Sequence, residues 1–265
     1  MAYKIQYSLL DTPEITEYVF YPRKDWMEPP PGATDHLVRV EESVSVSCRF
    51  YKSERAYVSF LLFHGNGEVA SDYDWIAPIY NGEGINLFVA DYRGYGLSGG
   101  KPTFSSMVED CNLVFHYFCS LLSASSNEGP LLVMGRSLGS DCALELAAKY
   151  PGDVGGLILE SGSSNPGRLL RRFSIPVPHS ALDNLERASL ERVKSINVPV
   201  LVIHGEFDAL IPVSHAVDFY ENVGAKAKEL VIIPGAGHND LLFIGMEQYF
   251  SAIREFVLRH ARRGG

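Results

Sequence analysis

The sequence predicts an α/β protein with a mostly parallel central sheet of about eight strands and helices on both faces. Two observations support this class. Short, nearly continuous apolar runs recur along the chain, and segments with helical periodicity separate them. Such runs indicate strands buried on both faces, as in a parallel sheet. The runs predicted as core strands are 57–63, 85–90, 131–134, 154–159, 198–203 and 229–233.

The remaining predicted elements follow an irregular N-terminal segment. Residues 37–40 and 44–51 read as edge strands, the second through its alternating apolar side chains. Helical periodicity covers 104–122, 140–149, 214–223 and 241–259. The stretch at about 161–196 contains no core strand, so we interpret it as a small cap over the strand ends, a plain surface excursion being the alternative. Residues 1–265 then form a single domain with one short insertion.

Composition excludes several classes of function. The 265 residues are 46% hydrophobic and 21% charged, as in an ordinary globular protein. A net charge of −9 disfavours a nucleic-acid partner. No apolar run approaches the ~18 residues that an integral membrane helix needs. The first residues lack the apolar core of a signal peptide, so the sequence predicts a cytoplasmic protein.

The four cysteines show no metal-ligand spacing. They are Cys48, Cys111, Cys119 and Cys142, and none forms a Cys-x-x-Cys pair or a cluster with histidine. A catalytic cysteine needs a histidine and an electropositive setting, and nothing local in the sequence suggests one. The pattern therefore predicts reduced, structural thiols and no metal site.

The most informative motif is Gly-x-Ser-x-Gly at 135–139, between a predicted strand and a predicted helix. At such a junction the chain turns sharply and exposes the serine hydroxyl on a strained backbone, while the glycines let neighbouring backbone come close. The motif therefore predicts Ser137 as a nucleophile. A second match at 96–100 does not directly follow an apolar strand and is closed by Pro102, so a glycine-rich loop is favoured there.

A serine hydroxyl needs a base within hydrogen-bond reach, and the base needs an orienting acid. On folds with this elbow, the acid and then the histidine follow the serine in the chain. His238 is the predicted base, because it lies in the loop between the last predicted strand and the last predicted helix. The other histidines beyond the predicted cap are less suitable: His204 ends a strand, His215 lies in a helical run and His260 lies in the tail.

The acid is predicted in the loop that follows the preceding strand. Asp208 is the predicted orienting carboxylate, and Glu206 in the same loop is its competitor. Asp240 is too close to His238 in the chain to orient it well, and it is predicted to cap the terminal helix.

The tetrahedral intermediate of acyl transfer needs hydrogen-bond donors for its oxyanion, each worth about 3 kcal/mol of barrier. One predicted donor is the backbone N–H of Leu138, which follows the nucleophile at a helix N-terminus. The second is predicted in the loop after strand 57–63, where Asn66 is favoured and Gly67 is the alternative. His64 is interpreted as a structural residue that holds this loop.

Aromatic and aliphatic side chains near these loops are candidates for an acyl pocket. Proximity in sequence is their only signal, since the same residue types more often pack in a core. The predicted substrate-binding residues are Tyr73, Trp75, Tyr95, Phe173, Ile211 and Leu241.

Taken together, these residues resemble the α/β-hydrolase superfamily over 38–257. The motifs at 63–67, 91–100, 135–139 and 235–240 are similar to a short-cap branch that includes uncharacterised bacterial hydrolases and eukaryotic protein depalmitoylases with an α/β-hydrolase domain. The resemblance implies the α/β-hydrolase fold and a conformational loop at 91–100 beside the site. It also implies site residues: the triad Ser137, Asp208 and His238 and the oxyanion donors Asn66 and Leu138.

The predicted function is hydrolysis of small-molecule carboxylic esters or thioesters through an acyl-enzyme, with no metal or organic cofactor. The serine at the elbow disfavours haloalkane and epoxide hydrolases, which use a carboxylate there. A serine aminopeptidase or amidase on the same fold is the alternative, with Glu160, Glu206 or Asp240 as the anchor for the substrate's amine. A non-catalytic interaction protein that kept the fold is the third hypothesis.

Overall fold

The computed structural model describes residues 5–125, 129–172, 174 and 177–260. The strands of the described residues are β1 (Ala33–Arg39), β2 (Ser45–Tyr51), β3 (Val58–Phe63), β4 (Ile85–Ala90), β5 (Leu131–Arg136), β6 (Gly156–Glu160), β7 (Val200–Gly205) and β8 (Lys228–Ile233). They form one sheet in the order β1-β2-β4-β3-β5-β6-β7-β8. β2 is antiparallel to both of its neighbours, and β3 to β8 pair in parallel. The predicted mostly parallel sheet is confirmed.

Helices cover both faces of this sheet. The helices of the described residues are α1 (Pro13–Val19), α2 (Ala77–Gly82), α3 (Phe104–Ala124), α4 (Ser140–Lys149), α5 (Pro166–Arg172), α6 (His179–Ser195), α7 (Ser214–Asn222) and α8 (Leu241–His260). One apolar core includes Phe88, Phe115 and Phe118, and a second includes Phe60 and Phe256. Every residue of β3, β4 and β7 is buried, which explains their continuous apolar sequences.

The N-terminal segment contains more structure than the sequence predicts. A 3-10 turn at Tyr7–Leu10 and helix α1 precede the sheet, and β1 begins at Ala33 rather than at residue 37. Helix α1 starts with Pro13, which is well suited to a first helical turn, but Ile15 is its one buried residue. A single buried position carries no periodicity, so the sequence pattern could not reveal this helix.

The segment between β6 and β7, predicted as a cap, contains α5 and α6. Helix α6 contacts α4 and α7. Its buried Arg192 donates to Asp141 at the start of α4 and to the hydroxyl of Tyr7, both at 2.6 Å. Helix α6 therefore packs in the helical layer beside the sheet, within the stretch at about 161–196 that is predicted as a cap. That this part covers the strand ends stays a prediction.

Helix α8 is interrupted near its start. Gly245 has φ −132° and ψ 36°, values outside the helical region. The residues before it, 241–244, form a separate first turn. The residues after it include Tyr249, Ile253 and Phe256, which are fully buried against the sheet. The kink therefore separates the part of α8 near the strand ends from the part that packs in the core.

No helix in the described segments combines the length and the apolar character needed to cross a bilayer. All four cysteines are free, and Cys48, Cys111 and Cys142 are buried. Burial raises the pKa of the Cys48 and Cys142 thiols well above the ordinary value. Buried thiols of this kind are chemically inert, as expected for structural cysteines.

Candidate active site

The turn from β5 into α4 places Ser137 on a strained backbone. Its φ of 50° lies in the left-handed region, which costs a residue with a side chain roughly 1–2 kcal/mol. The chain leaves β5, makes one 3-10 turn at Ser137–Gly139 and enters α4 directly. This is the geometry of a nucleophile elbow.

The elbow is packed tightly against neighbouring backbone. A Cβ atom on Gly139 would lie 2.6 Å from the carbonyl carbon of Phe63 and 2.9 Å from the carbonyl oxygen of His64. A Cβ on Gly135 would lie 2.6 Å from the carbonyl oxygen of Gly139. Glycine is therefore needed at both positions. The close approach also brings the elbow against the end of β3, where the loop of Asn66 begins.

Ser137, His238 and Asp208 form one chain of hydrogen bonds. The Nε2 atom of His238 lies 2.9 Å from Ser137 Oγ, and its Nδ1 atom lies 2.7 Å from Asp208 Oδ2. The Asp208 loop follows β7 and the His238 loop follows β8. The other carboxylate oxygen, Asp208 Oδ1, accepts from the N–H groups of Leu210 and Ile211 at 3.0 and 2.7 Å. Asp208 is thereby held in place on both of its oxygens.

The acidic side chains that compete with Asp208 are engaged elsewhere. Glu206 accepts from the N–H of Gly235 at 2.9 Å. The Asp240 side chain accepts from the N–H of Gly237 at 2.6 Å. Asp240 directly precedes α8, and its carbonyl accepts from the N–H of Ile244 at 2.9 Å, so it lies at the predicted cap position while its side chain closes the preceding loop.

The environment of Asp208 favours its ionised form. Burial alone would raise the pKa of this carboxyl, but hydrogen bonds from His204, His238 and the Ile211 N–H hold the pKa well below its ordinary value. His204 Nε2 lies 2.7 Å from the Ile211 carbonyl and 3.3 Å from Asp208 Oδ2. The shorter contact directs the His204 proton mainly to the carbonyl, so His238 is the principal side-chain partner of Asp208.

His64 is a structural residue in this geometry. It is fully buried. Its Nε2 atom lies 3.2 Å from Asp91 Oδ1, and its Nδ1 atom lies 2.8 Å from the carbonyl of Gly65. The same Asp91 oxygen accepts from the N–H of Ala70 at 2.8 Å. Asp91 at the end of β4 thus holds the loop after β3 through His64.

The predicted oxyanion donors lie on the two backbone segments that meet at the elbow. The N–H of Leu138 is in the first turn of a 3-10 helix, where backbone donors have no acceptor within the helix. The N–H of Asn66 donates to no atom of the residues that the structure describes. Both polar atoms of its side chain, in contrast, are hydrogen-bonded. Both N–H groups are therefore available to an incoming oxygen.

The described residues also enclose a cavity of about 180 Å³. Arg136 and Asn239, the chain neighbours of Ser137 and His238, are among its lining residues, whereas the triad residues themselves are not. The lining residues are Glu68, Asp72, Tyr73, Trp75, Ile76, Tyr80, Arg136, Glu160, Asn239, Leu241, Leu242, Phe243 and Tyr249. Three of the predicted substrate-binding residues, Tyr73, Trp75 and Leu241, are among them.

Tyr95 and Ile211 do not line this cavity. Tyr95 is fully buried, and its hydroxyl donates to Asn66 Oδ1 at 2.7 Å. Ile211 is buried and supports Asp208 through its backbone. A role of these two residues in substrate binding stays a prediction. Phe173 lies outside the described residues.

Sequence reasoning missed a charged cluster in the floor of the cavity. Arg136 pairs with Glu68 and donates through Nε to Glu160 at 3.1 Å. Its Nη2 atom lies 3.3 Å from the carbonyl oxygen of His238. Burial raises the pKa of Glu160, against the opposing effect of Arg136, and Tyr249 donates to its carboxylate at 2.7 Å. The signal in the sequence for this cluster is Arg136, a charged residue at the end of an apolar strand.

Comparison with known proteins decides the family. The model of a hydrolase family described as serine aminopeptidase, S33, matches residues 54–187 and 163–242, more than half of the chain. The chain belongs to this family. The α/β hydrolase is 28% identical over 226 residues to human alpha/beta hydrolase domain-containing protein 17B, covering 83% of this chain and 74% of the relative. Protein 17C of Xenopus tropicalis is 28% identical over 224 residues, 83% of this chain and 68% of the relative.

Solved structures agree with this assignment at the level of the fold. The Pyrococcus furiosus esterase Pf2001 matches this α/β hydrolase with a TM-score of 0.71 at 21% identity, over 91% of this chain and 100% of that chain. Est1E from Butyrivibrio proteoclasticus, with ferulic acid bound, matches with a TM-score of 0.69 at 18% identity, over 85% and 98% of the two chains. The predicted superfamily and the predicted hydrolase class are confirmed.

His215 of this α/β hydrolase makes its stability depend on pH. The buried ring lies 2.9 Å through Nδ1 from Ser163 Oγ, and burial, reinforced by Arg168, lowers its pKa to about 4. An unfolded histidine has a pKa of about 6.5, so this contribution to stability is complete above that pH and is lost as the pH falls towards 4. At about pH 5 we expect a loss of roughly 2 kcal/mol relative to neutral pH.

Urea unfolding of the wild type and of His215→Asn measures this loss. Asparagine keeps an acceptor for Ser163 and does not titrate. The free energy of unfolding of the variant should fall less between neutral and acidic pH than that of the wild type. Equal losses in the two proteins would contradict the prediction.

Proposed function

We propose that this α/β hydrolase cleaves carboxylic ester or thioester bonds of small acyl substrates through an acyl-enzyme intermediate. The observation that carries the proposal is the unbroken hydrogen-bond chain from Ser137 through His238 to Asp208, with contacts of 2.9 and 2.7 Å. A serine at an elbow, a base in reach of its hydroxyl and a buried carboxylate behind the base are the parts that acyl transfer requires. One structural neighbour, Pf2001 from Pyrococcus furiosus, is an esterase, which supports the same chemistry.

Each member of the triad has one role in the proposal. Ser137 Oγ attacks the substrate carbonyl while His238 Nε2 accepts its proton and passes it to the leaving alcohol or thiol. Asp208 keeps the imidazole in the tautomer with Nδ1 protonated and stabilises its charged form. Water activated by His238 then releases the acid from Ser137. The backbone N–H groups of Leu138 and Asn66 stabilise the oxyanion in both steps.

We place the acyl group of the substrate in this cavity, which the chain neighbours of Ser137 and His238 line. A cavity of about 150 Å³ holds one benzene molecule, so about 180 Å³ leaves room for an acyl group of roughly that size against Trp75, Leu241 and Phe243. Trp75 and Phe243 stack at 6.0 Å with an interplanar angle of 9° and are 52% and 77% exposed. They therefore form the solvent side of the cavity.

We also propose a cytoplasmic location for the protein.

Hydrolysis of p-nitrophenyl esters from acetate to palmitate tests the function and the pocket together. We expect turnover with an optimum at medium chain length, and labelling of the protein by a fluorophosphonate. Trp75→Ala removes one wall of the cavity and should move the optimum to longer chains by a few carbons. Phe207→Ala is the matched control, because Phe207 is 68% exposed and does not line the cavity. Equal chain-length profiles in the two variants would exclude this acyl pocket.

A serine aminopeptidase activity is the second candidate, because the matching family carries that description. It needs a free carboxylate for the substrate's amine. In the cavity, Glu68 and Glu160 are both paired with Arg136, and Asp72 is paired with Arg23. The geometry therefore favours esters. Hydrolysis of aminoacyl anilides with no turnover of esters would make the aminopeptidase the favoured function.

A folded protein that neither turns over any of these substrates nor reacts with a fluorophosphonate would favour the third hypothesis, a non-catalytic interaction protein.

A further inference from the structure

A segment far from the triad in sequence holds the loop of the second oxyanion donor. We call residues 19–24, which run from the last residue of α1 towards β1, the N-terminal strap, and residues 64–67, after β3, the oxyanion loop. The side-chain amide of Asn66 donates through Nδ2 to the carbonyl of Val19 at 2.5 Å, and its Oδ1 accepts from the N–H of Tyr21 at 3.0 Å. Arg23 donates to the carbonyl of Gly67 at 3.0 Å. Three contacts from the strap thus reach two consecutive residues of the oxyanion loop.

Tyr95 supports the same amide from below. Its hydroxyl donates to Asn66 Oδ1 at 2.7 Å and accepts from the N–H of Tyr21 at 3.0 Å. The Tyr95 side chain is fully buried, and its ring lies 5.7 Å from that of His64. The strap, Tyr95 and Asn66 therefore form one closed set of hydrogen bonds. These hydrogen bonds fix the orientation of the Asn66 amide, because its oxygen accepts from two donors and its nitrogen donates to a carbonyl.

The strap is itself fixed to the protein on the other side. The N–H of Gly96 donates to the carbonyl of Arg23 at 2.8 Å, and Lys24 donates to the carbonyl of Ser98 at 2.5 Å. Arg23 also donates to Asp72 at 2.7 Å. A segment anchored at several points can hold a neighbouring loop in position, whereas a loosely attached chain cannot.

The division of labour within Asn66 carries the inference. Both polar atoms of its side chain are held by the strap and Tyr95, whereas its backbone N–H donates to nothing within the described residues. We propose that the N-terminal strap and Tyr95 position the second oxyanion donor, so that the N–H of Asn66 is fixed before substrate arrives. The strap, Tyr95 and the Asn66 side chain are positioning groups and do not touch the reacting atoms. This inference rests on the proposed acyl transfer.

The family match begins at residue 54, so the strap lies outside the matched region. Preorganised donors matter because the oxyanion develops only in the transition state, and loss of one donor costs about 10²–10³-fold in kcat. Displacement of a reacting group by about 1 Å costs up to about 10²-fold. Loosening the strap should therefore lower kcat and leave KM nearly unchanged.

Four variants at three positions test this. Tyr95→Phe removes one hydroxyl and should lower kcat about tenfold, and Asn66→Ala removes the side-chain amide and should lower kcat about 10²-fold. Arg23→Ala should lower kcat, and Arg23→Lys should recover part of the loss because lysine still reaches a carbonyl. Tyr18→Phe is the matched control for Tyr95→Phe, because Tyr18 lies on α1, is 56% exposed and should leave kcat unchanged.

A transition-state analogue separates positioning from general loss of structure. The affinity for an alkyl boronic acid, which forms a tetrahedral adduct with the serine, should fall in each variant by the same factor as kcat/KM. Thermal unfolding establishes that each variant is folded at the assay temperature. Unchanged kcat and unchanged boronate affinity in folded Tyr95→Phe and Asn66→Ala would overturn the inference. A wild type without any ester or thioester turnover would instead overturn the proposed function.

Discussion

Replacement of Ser137 by alanine is expected to lower kcat for ester hydrolysis by about 10⁵–10⁶-fold and to abolish labelling by a fluorophosphonate. Members of a catalytic triad act as a unit, so loss of the nucleophile removes nearly all of the rate that the triad supplies. Oxyanion donors and substrate binding alone leave a small residual rate over water. The measurement is kcat/KM of wild type and variant on the best p-nitrophenyl ester.

Ser163→Ala is the matched control for this prediction. Ser163 is a buried serine that, like Ser137, has a histidine at hydrogen-bond distance, 2.9 Å from Oγ to Nδ1 of His215. Ser163 lies after β6 and is not part of the elbow, and burial lowers the pKa of His215 to about 4. We expect this variant to keep its activity. Retained turnover in Ser137→Ala, or lost turnover in a folded Ser163→Ala, would show that the nucleophile has been misassigned.

The largest effect on stability is expected for Gly139→Ala. The added Cβ would lie 2.6 Å from the Phe63 carbonyl carbon and 2.9 Å from the His64 carbonyl oxygen. These are backbone atoms of a central strand and its loop, which cannot move aside as a flexible side chain can. We expect a loss of about 3–5 kcal/mol in the free energy of unfolding, measured by urea denaturation.

Gly82→Ala is the control for the effect of adding a methyl group. Gly82 is the last residue of α2, and a Cβ there meets no atom within 4 Å. Alanine also favours the helix, so this variant should gain up to about 1 kcal/mol. A Gly139→Ala protein as stable as Gly82→Ala would show that the elbow is not packed as tightly as described.

The sheet could be predicted from the sequence because its inner strands are short apolar runs with buried side chains on both faces. Helices α1 and α2 could not be predicted, since they have 7 and 6 residues and show no usable period. The position of α6 depends on the contact of Arg192 with Asp141, which are 51 residues apart. Such pairing between distant residues is invisible to local patterns.

The three triad residues could be chosen from chain order and loop position, because both are local properties. The side-chain contacts around the triad could not be predicted in this way. Arg136 pairs with Glu68 and Glu160, which are 68 and 24 positions away from it in the chain. The aromatic ring of Tyr95 suggests a place in an acyl pocket. In the structure, its buried hydroxyl instead donates to the side chain of Asn66. Residue type and proximity in sequence do not reveal on which side of a loop a side chain lies.

The kink at Gly245 divides helix α8 into two parts with different constraints. The first part supplies Leu241, Leu242 and Phe243 to the cavity wall, and the second is anchored by Tyr249 and its buried neighbours. Changes at Phe243 and Ile244, which are 77% and 54% exposed, therefore need not disturb how the rest of the helix docks on the sheet, whereas Leu241 is itself buried in the core. For natural divergence or laboratory evolution, Phe243 is thus the position of the first turn at which a change can alter the cavity wall while the scaffold stays the same.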